Sequence, residues 1–135
     1  MKIMQYEPVF DTNDLIERFS SYFKSGGWLT EYKNTEEFEN IIKKFLGVKH
    51  CFMVNNGTIS LSLALLAVGV KPGDEVIVPD LTMIATPNAA TLIGATPVLV
   101  DIDPTTLCMD LKDAYFRMSS KTKALVYVTM HGRSG

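Results

Sequence analysis

The chain has 135 residues, 47% hydrophobic and 21% charged, with a net charge of −2. That length supports one compact domain with a sizeable core rather than two. The charge balance, with no basic cluster beyond short pairs such as Lys43-Lys44, argues against a nucleic-acid-binding surface as the main function. Nor does a leader or membrane span stand out. Residues Met1 to Pro8 lack a continuous apolar stretch, and the longest apolar tract, Leu61 to Val70, is interrupted by Ser62.

Residues 12–24 place Leu15, Ile16, Phe19, Tyr22 and Phe23 on one broad face, which predicts a helix stopped by Gly26-Gly27. Asn34-Thr35-Glu36-Glu37 has the form of a capping box and predicts a second helix. Phe38, Ile41, Ile42 and Phe45 form its expected buried stripe, and Gly47 fits the residue just past its end. Residues 1–47 therefore read as a helical N-terminal segment.

Residues 48–135 alternate short strands with helices. The expected strands are 50–54, 75–78, 96–102 and 124–129; the expected helices are 58–68, 82–93 and 110–118. Pro87 falls early enough in its helix to be tolerated. Strands joined through helices imply a mostly parallel sheet covered on both faces, an α/β fold. Cys51 and Cys108 have neither a framework pattern nor a metal spacing. They read as buried free thiols in a reducing cytoplasm.

The junction of the first strand and its helix carries the chemistry. The apolar run Cys51 to Val54 breaks at Asn55-Asn56-Gly57-Thr58 and resumes with helical spacing. At a helix start the free N–H groups point one way and the dipole adds positive potential, so a phosphate is the natural ligand. Thr58 can add a hydroxyl donor. A plain chain reversal is the competing reading, because Asn and Gly tolerate positive φ. Asp101 and Asp103 flank Ile102, but Pro104 and Thr105 follow, and local backbone hydrogen bonds explain the pair better than shared acid–base work.

Several blocks together resemble a known family. They are Phe45-Leu46-Gly47, Asn56-Gly57-Thr58, the run Lys71 to Pro79, Thr82 to Thr86, and Gly94 to Asp103. In this order and spacing they resemble the pyridoxal-phosphate-dependent sugar aminotransferases of the DegT/DnrJ type, which have an aspartate-aminotransferase-like fold. The resemblance implies the N-terminal part of the large domain, with pyridoxal 5'-phosphate (PLP) as cofactor. It further implies a nucleotide-linked sugar as substrate, glutamate as amino donor, a cytoplasmic homodimer and a place in polysaccharide biosynthesis.

By that resemblance Asn56, Gly57 and Thr58 hold the cofactor phosphate, and Met83 stands where many members stack an aromatic residue on the pyridine ring. Asn56 replaces the family's commoner Ser. A Met filling core space is the alternative for Met83. The family's His at the last strand end matches Thr129, so His131 is not transferred as a functional residue. Trp28 and Thr30 align with a segment near the family's active site, although packing is the plainer role for Trp28.

Transamination also needs a Schiff-base lysine and an acid beside the pyridine nitrogen. None of the ten lysines sits in a matching context. The resemblance places both groups after Gly132, so the expectation is the N-terminal portion of an enzyme, inactive alone. A sugar dehydratase of the same family and a non-catalytic binding or structural module remain as alternatives.

Overall fold

The computed structural model describes residues 9–30 and 32–135. The N-terminal octapeptide, including the stretch read above for a leader, lies outside them. Chain contacts divide the protein into two compact units, Met1–Met53 and Val54–Gly135.

The first unit holds helices α1 (Thr12–Lys24) and α2 (Lys33–Leu46). Asp11 caps α1 by accepting from the Asp14 N–H at 3.1 Å, and Arg18 pairs with Asp14 one turn on. Helix α2 departs from expectation at its start. It begins at Lys33 with Tyr32 as N-cap and no side-chain capping bond, so Asn34 lies inside the first turn and no capping box forms there. Its end agrees, since Gly47 adopts the left-handed conformation at φ 67° and donates back to Lys43 O. The expected buried stripe does not form either. No residue of α2 is buried, and Phe45 is 84% exposed. Trp28 is also exposed, which sets aside the packing role.

The second unit is built on strands β1 (Glu75–Pro79), β2 (Thr96–Val100) and β3 (Thr122–Leu125), all parallel in the order β2-β1-β3. Helices α3 (Gly57–Ala67), α4 (Ala85–Leu92) and α5 (Leu111–Phe116) connect and cover them. Val76, Ile77 and Val78 of the central strand are fully buried. Side-chain alternation divides them between the faces. Val76 and Val78 pack with Leu65 of α3 and Ala89 and Ala90 of α4. Ile77 packs on the other face with Val100, Met109 and Ala114 of α5. Burial on both faces is what a parallel sheet requires, and each large side chain so placed contributes about 1.5–3 kcal/mol.

Three expected strands change. The strand expected at 96–102 ends at Val100, and Ile102 forms only an isolated antiparallel bridge with Met109. Cys51 to Val54 forms no ladder among the described residues: the Met53 N–H donates to Glu39 Oε1 at 2.7 Å, and Phe52 is 78% exposed. The last strand is Thr122–Leu125 rather than 124–129, with Val126 N donating to Ile77 O as the chain leaves the sheet. Helix α4 starts at Ala85 rather than Thr82, after an irregular lead-in across which the Thr82 and Thr86 hydroxyls pair at 2.9 Å. Of the free thiols, Cys108 is buried and Cys51 half-buried.

Candidate active site

Chain direction fixes which residues share an edge of the second unit. Helix α4 leaves the carboxyl end of β1 and returns to the amino end of β2. Helix α3 packs beside α4 and leads through Val68 to Asp74 into the amino end of β1. Both helices therefore start at the carboxyl edge of the sheet. Asn56 to Thr58 and the lead-in Leu81 to Ile84 lie there, where open α/β sheets bind their ligands.

The start of α3 differs from a plain turn. Asn56 is extended, at φ −166° and ψ 167°, and positive φ occurs at none of Asn55, Asn56 and Gly57. The tolerance of Asn and Gly for left-handed backbone is not what this junction uses. The Asn56 side-chain oxygen instead accepts from the Ile59 N–H at 3.0 Å, which caps the helix. Among the described residues no acceptor is paired with the N–H groups of Gly57 and Thr58. The first turn carries no acidic residue. A Cβ built at Gly57 meets nothing within 4 Å. Two free donors, a positive helix pole and an open approach thus coincide, and they suit a phosphate group.

Met83 is 75% exposed and outside both core clusters. The core-filling alternative is therefore not what the structure holds. Its carbonyl accepts from the Thr86 N–H at 2.9 Å, which fixes the lead-in to the first turn of α4. Sequence reasoning missed Ser62. Its buried hydroxyl donates across to Ala89 O in α4 at 3.0 Å. The interruption of an apolar helix by one small polar residue was the available signal.

The remaining candidates behave as local structure. Asp103 Oδ1 accepts from Thr105 N at 2.8 Å and Thr106 N at 2.9 Å, and these bonds, Thr106 first, hold its carboxyl below the ordinary range. Asp101 Oδ1 accepts from Ile102 N at 2.8 Å. His131 is exposed at φ 53°, in the short turn Met130–Gly132. Among the described residues no group of His, Cys, Asp and Glu could hold a metal ion, and no helix is long and apolar enough to cross a membrane.

A parallel α/β sheet with two helices starting at its carboxyl edge is the architecture of the aspartate-aminotransferase-like sugar aminotransferases. The sequence profile of the DegT/DnrJ/EryC1/StrS aminotransferase family matches residues 11–135, and the chain belongs to that family. It is 50% identical to GDP-perosamine synthase of Caulobacter vibrioides over 97 residues, 72% of this chain and 26% of the relative. To GDP-perosamine synthase of Escherichia coli O157:H7 it is 39% identical over 133 residues, 96% of this chain and 36% of the relative. The fold superposes on a sugar aminotransferase of Streptococcus pneumoniae in its PMP form with a TM-score of 0.86 and 32% identity, over 98% of this chain and 33% of that one. The chain thus spans about a quarter to a third of the length of the relatives it matches.

Proposed function

We propose that this chain forms part of a PLP-dependent aminotransferase that aminates a keto group on a nucleotide-linked sugar. The observation that carries the reading is the start of α3, where the N–H groups of Gly57 and Thr58 stand unpaired beside open space. Family membership supplies the ligand that such a feature suits. The S. pneumoniae relative, solved in a PMP form and a PLP form, supports the same cofactor.

In this reading Gly57 and Thr58 hold the phosphate through their N–H groups, and the Thr58 hydroxyl adds a third donor. Asn56 contributes through the helix start it caps, with its amide NH2 free to reach the same anion. The exposed Met83 thioether would be available to one face of the pyridine ring, a contact of modest energy. When bound, PLP supplies the carbonyl carbon and electron-withdrawing ring needed to move an amino group between donor and keto sugar. In this proposal the residues described above bind and orient the cofactor. The Schiff-base lysine and the acid beside the pyridine nitrogen belong, in this proposal, to residues outside these 135.

The donor in this proposal is glutamate, and the protein is a cytoplasmic homodimer. The names of the relatives favour transamination over dehydration. The test is to incubate the complete gene product with PLP, glutamate and a nucleotide-linked keto sugar, and to follow 2-oxoglutarate and amino-sugar formation. Both should appear in equal amounts. A sugar dehydrated without consumption of glutamate would replace the transaminase with the dehydratase, and absence of PLP binding would overturn the cofactor assignment.

A further inference from the structure

Ser62 lies in the second turn of α3 and is 5% exposed. Its hydroxyl has one proton and two acceptors in reach, Thr58 O at 3.3 Å and Ala89 O at 3.0 Å. The Ala89 carbonyl needs it more. The N–H four residues on, at Ile93, donates to Ala90 O at 3.2 Å instead, so the helical partner of Ala89 O is turned away in the last turn of α4. Ala89 is fully buried, and a buried carbonyl without a donor is costly.

The bond joins two helices that each carry one end of the proposed cofactor site. Helix α3 presents Gly57 and Thr58. Helix α4 holds Met83 through the Thr86 N–H and holds Thr82 through the paired hydroxyls. Thr86 is itself buried, so the lead-in has a fixed footing on α4. Beside the apolar packing of Leu65 on Ala89 and Ala90, the Ser62 to Ala89 hydrogen bond is the directional contact between the two helices among the described residues.

We infer that Ser62 is a positioning residue that sets the spacing between the phosphate-binding turn and the segment that faces the cofactor ring. The inference rests on the PLP assignment made above. A ligand that touches both ends feels an error in that spacing, whereas a ligand that touches one end does not. Phosphate and ring in one molecule gain from being held together only when the two half-sites are in register.

The experiment compares PLP with pyridoxal, which lacks the phosphate, in titrations of the complete gene product and its Ser62→Ala variant. PLP affinity should fall about tenfold, the effect of one ordinary buried hydrogen bond. Pyridoxal affinity should stay at the wild-type value, which also shows that the variant is folded. Ser62→Thr, which keeps the hydroxyl, should restore PLP binding. Should Ser62→Ala fail to fold, Ser62→Cys keeps the size with a weaker donor and should show the same selective loss to a smaller degree. Equal weakening of both ligands, or unchanged PLP affinity, would overturn the positioning role while leaving the cofactor assignment intact. A wild-type protein that binds neither ligand would overturn the assignment and the inference together.

Discussion

The Asn56 side-chain oxygen accepts from the Ile59 N–H at 3.0 Å, and this one bond decides which donors of α3 stay free. It occupies the third N–H of the helix and leaves those of Gly57 and Thr58. Asn56 is therefore a helix cap in this structure, whatever it adds to the proposed phosphate site. Ser caps equally well, so Asn56→Ser should leave stability within about 0.5 kcal/mol of wild type, while Asn56→Ala should cost about 1 kcal/mol. Urea unfolding measures both. Wild-type stability in Asn56→Ala would show that the cap contributes nothing.

Met83 is exposed and outside both core clusters, so enlarging it should not overpack the fold. Met83→Trp should melt with the wild type in the absence of PLP and bind PLP as tightly or more tightly. Met83→Ala should weaken binding by about 1 kcal/mol through lost contact with the ring. Thermal melts with and without PLP read both effects. Unchanged affinity in both variants would remove Met83 from the site.

Two carboxyls lie below their ordinary range in the folded chain. Asp103 is lowered by the N–H groups of Thr106 and Thr105; Asp113 is lowered first by the Asp101 N–H and then by Arg117. Lowered groups bind fewer protons folded than unfolded, so stability is fully present above the unfolded value and lost as pH falls through the folded one. Urea midpoints should therefore drop as pH falls from about 4. Asp103→Asn and Asp113→Asn should each flatten that drop. A variant that kept the full wild-type slope would show that its carboxyl does not contribute.

The 135-residue chain by itself should not hold PLP covalently at one place. Treatment with PLP and borohydride, followed by peptide mapping, should spread any label thinly over its ten lysines. Lys71, Lys121 and Lys123 adjoin the amino ends of β1 and β3, away from the edge that carries Asn56 to Thr58. A single lysine labelled in stoichiometric amount would locate a nucleophile that the sequence comparison overlooked.

What the sequence made legible follows what is local. Hydrophobic runs of strand length between turn residues gave β1 to within one residue and β2 with an overrun at its end, and periodicity gave α1 in full. Strand 50–54 had the same composition but no ladder, because a strand exists only with a partner and no pattern in the run itself supplies one. The stripe of α2 had the right period, yet periodicity marks a face that could be covered without showing what covers it. At the candidate site, the helix start at Asn56, Gly57 and Thr58 is visible from the residue types. The use Asn56 makes of its oxygen is not, and the bond from Ser62 to Ala89 spans 27 residues, which no local pattern could reveal.

The most direct test of the phosphate assignment is PLP titration of Gly57→Val beside Asn56→Ser in the complete gene product. Gly57 has an ordinary φ and open space where a Cβ would stand, so valine there should disturb the ligand rather than the fold. The account predicts that Gly57→Val loses PLP affinity by about a hundredfold or more, by blocking close approach to the two backbone donors, with its apo melting temperature near wild type. Asn56→Ser should bind close to the wild-type value. Wild-type affinity in Gly57→Val would contradict the account and leave the start of α3 as an ordinary capped helix.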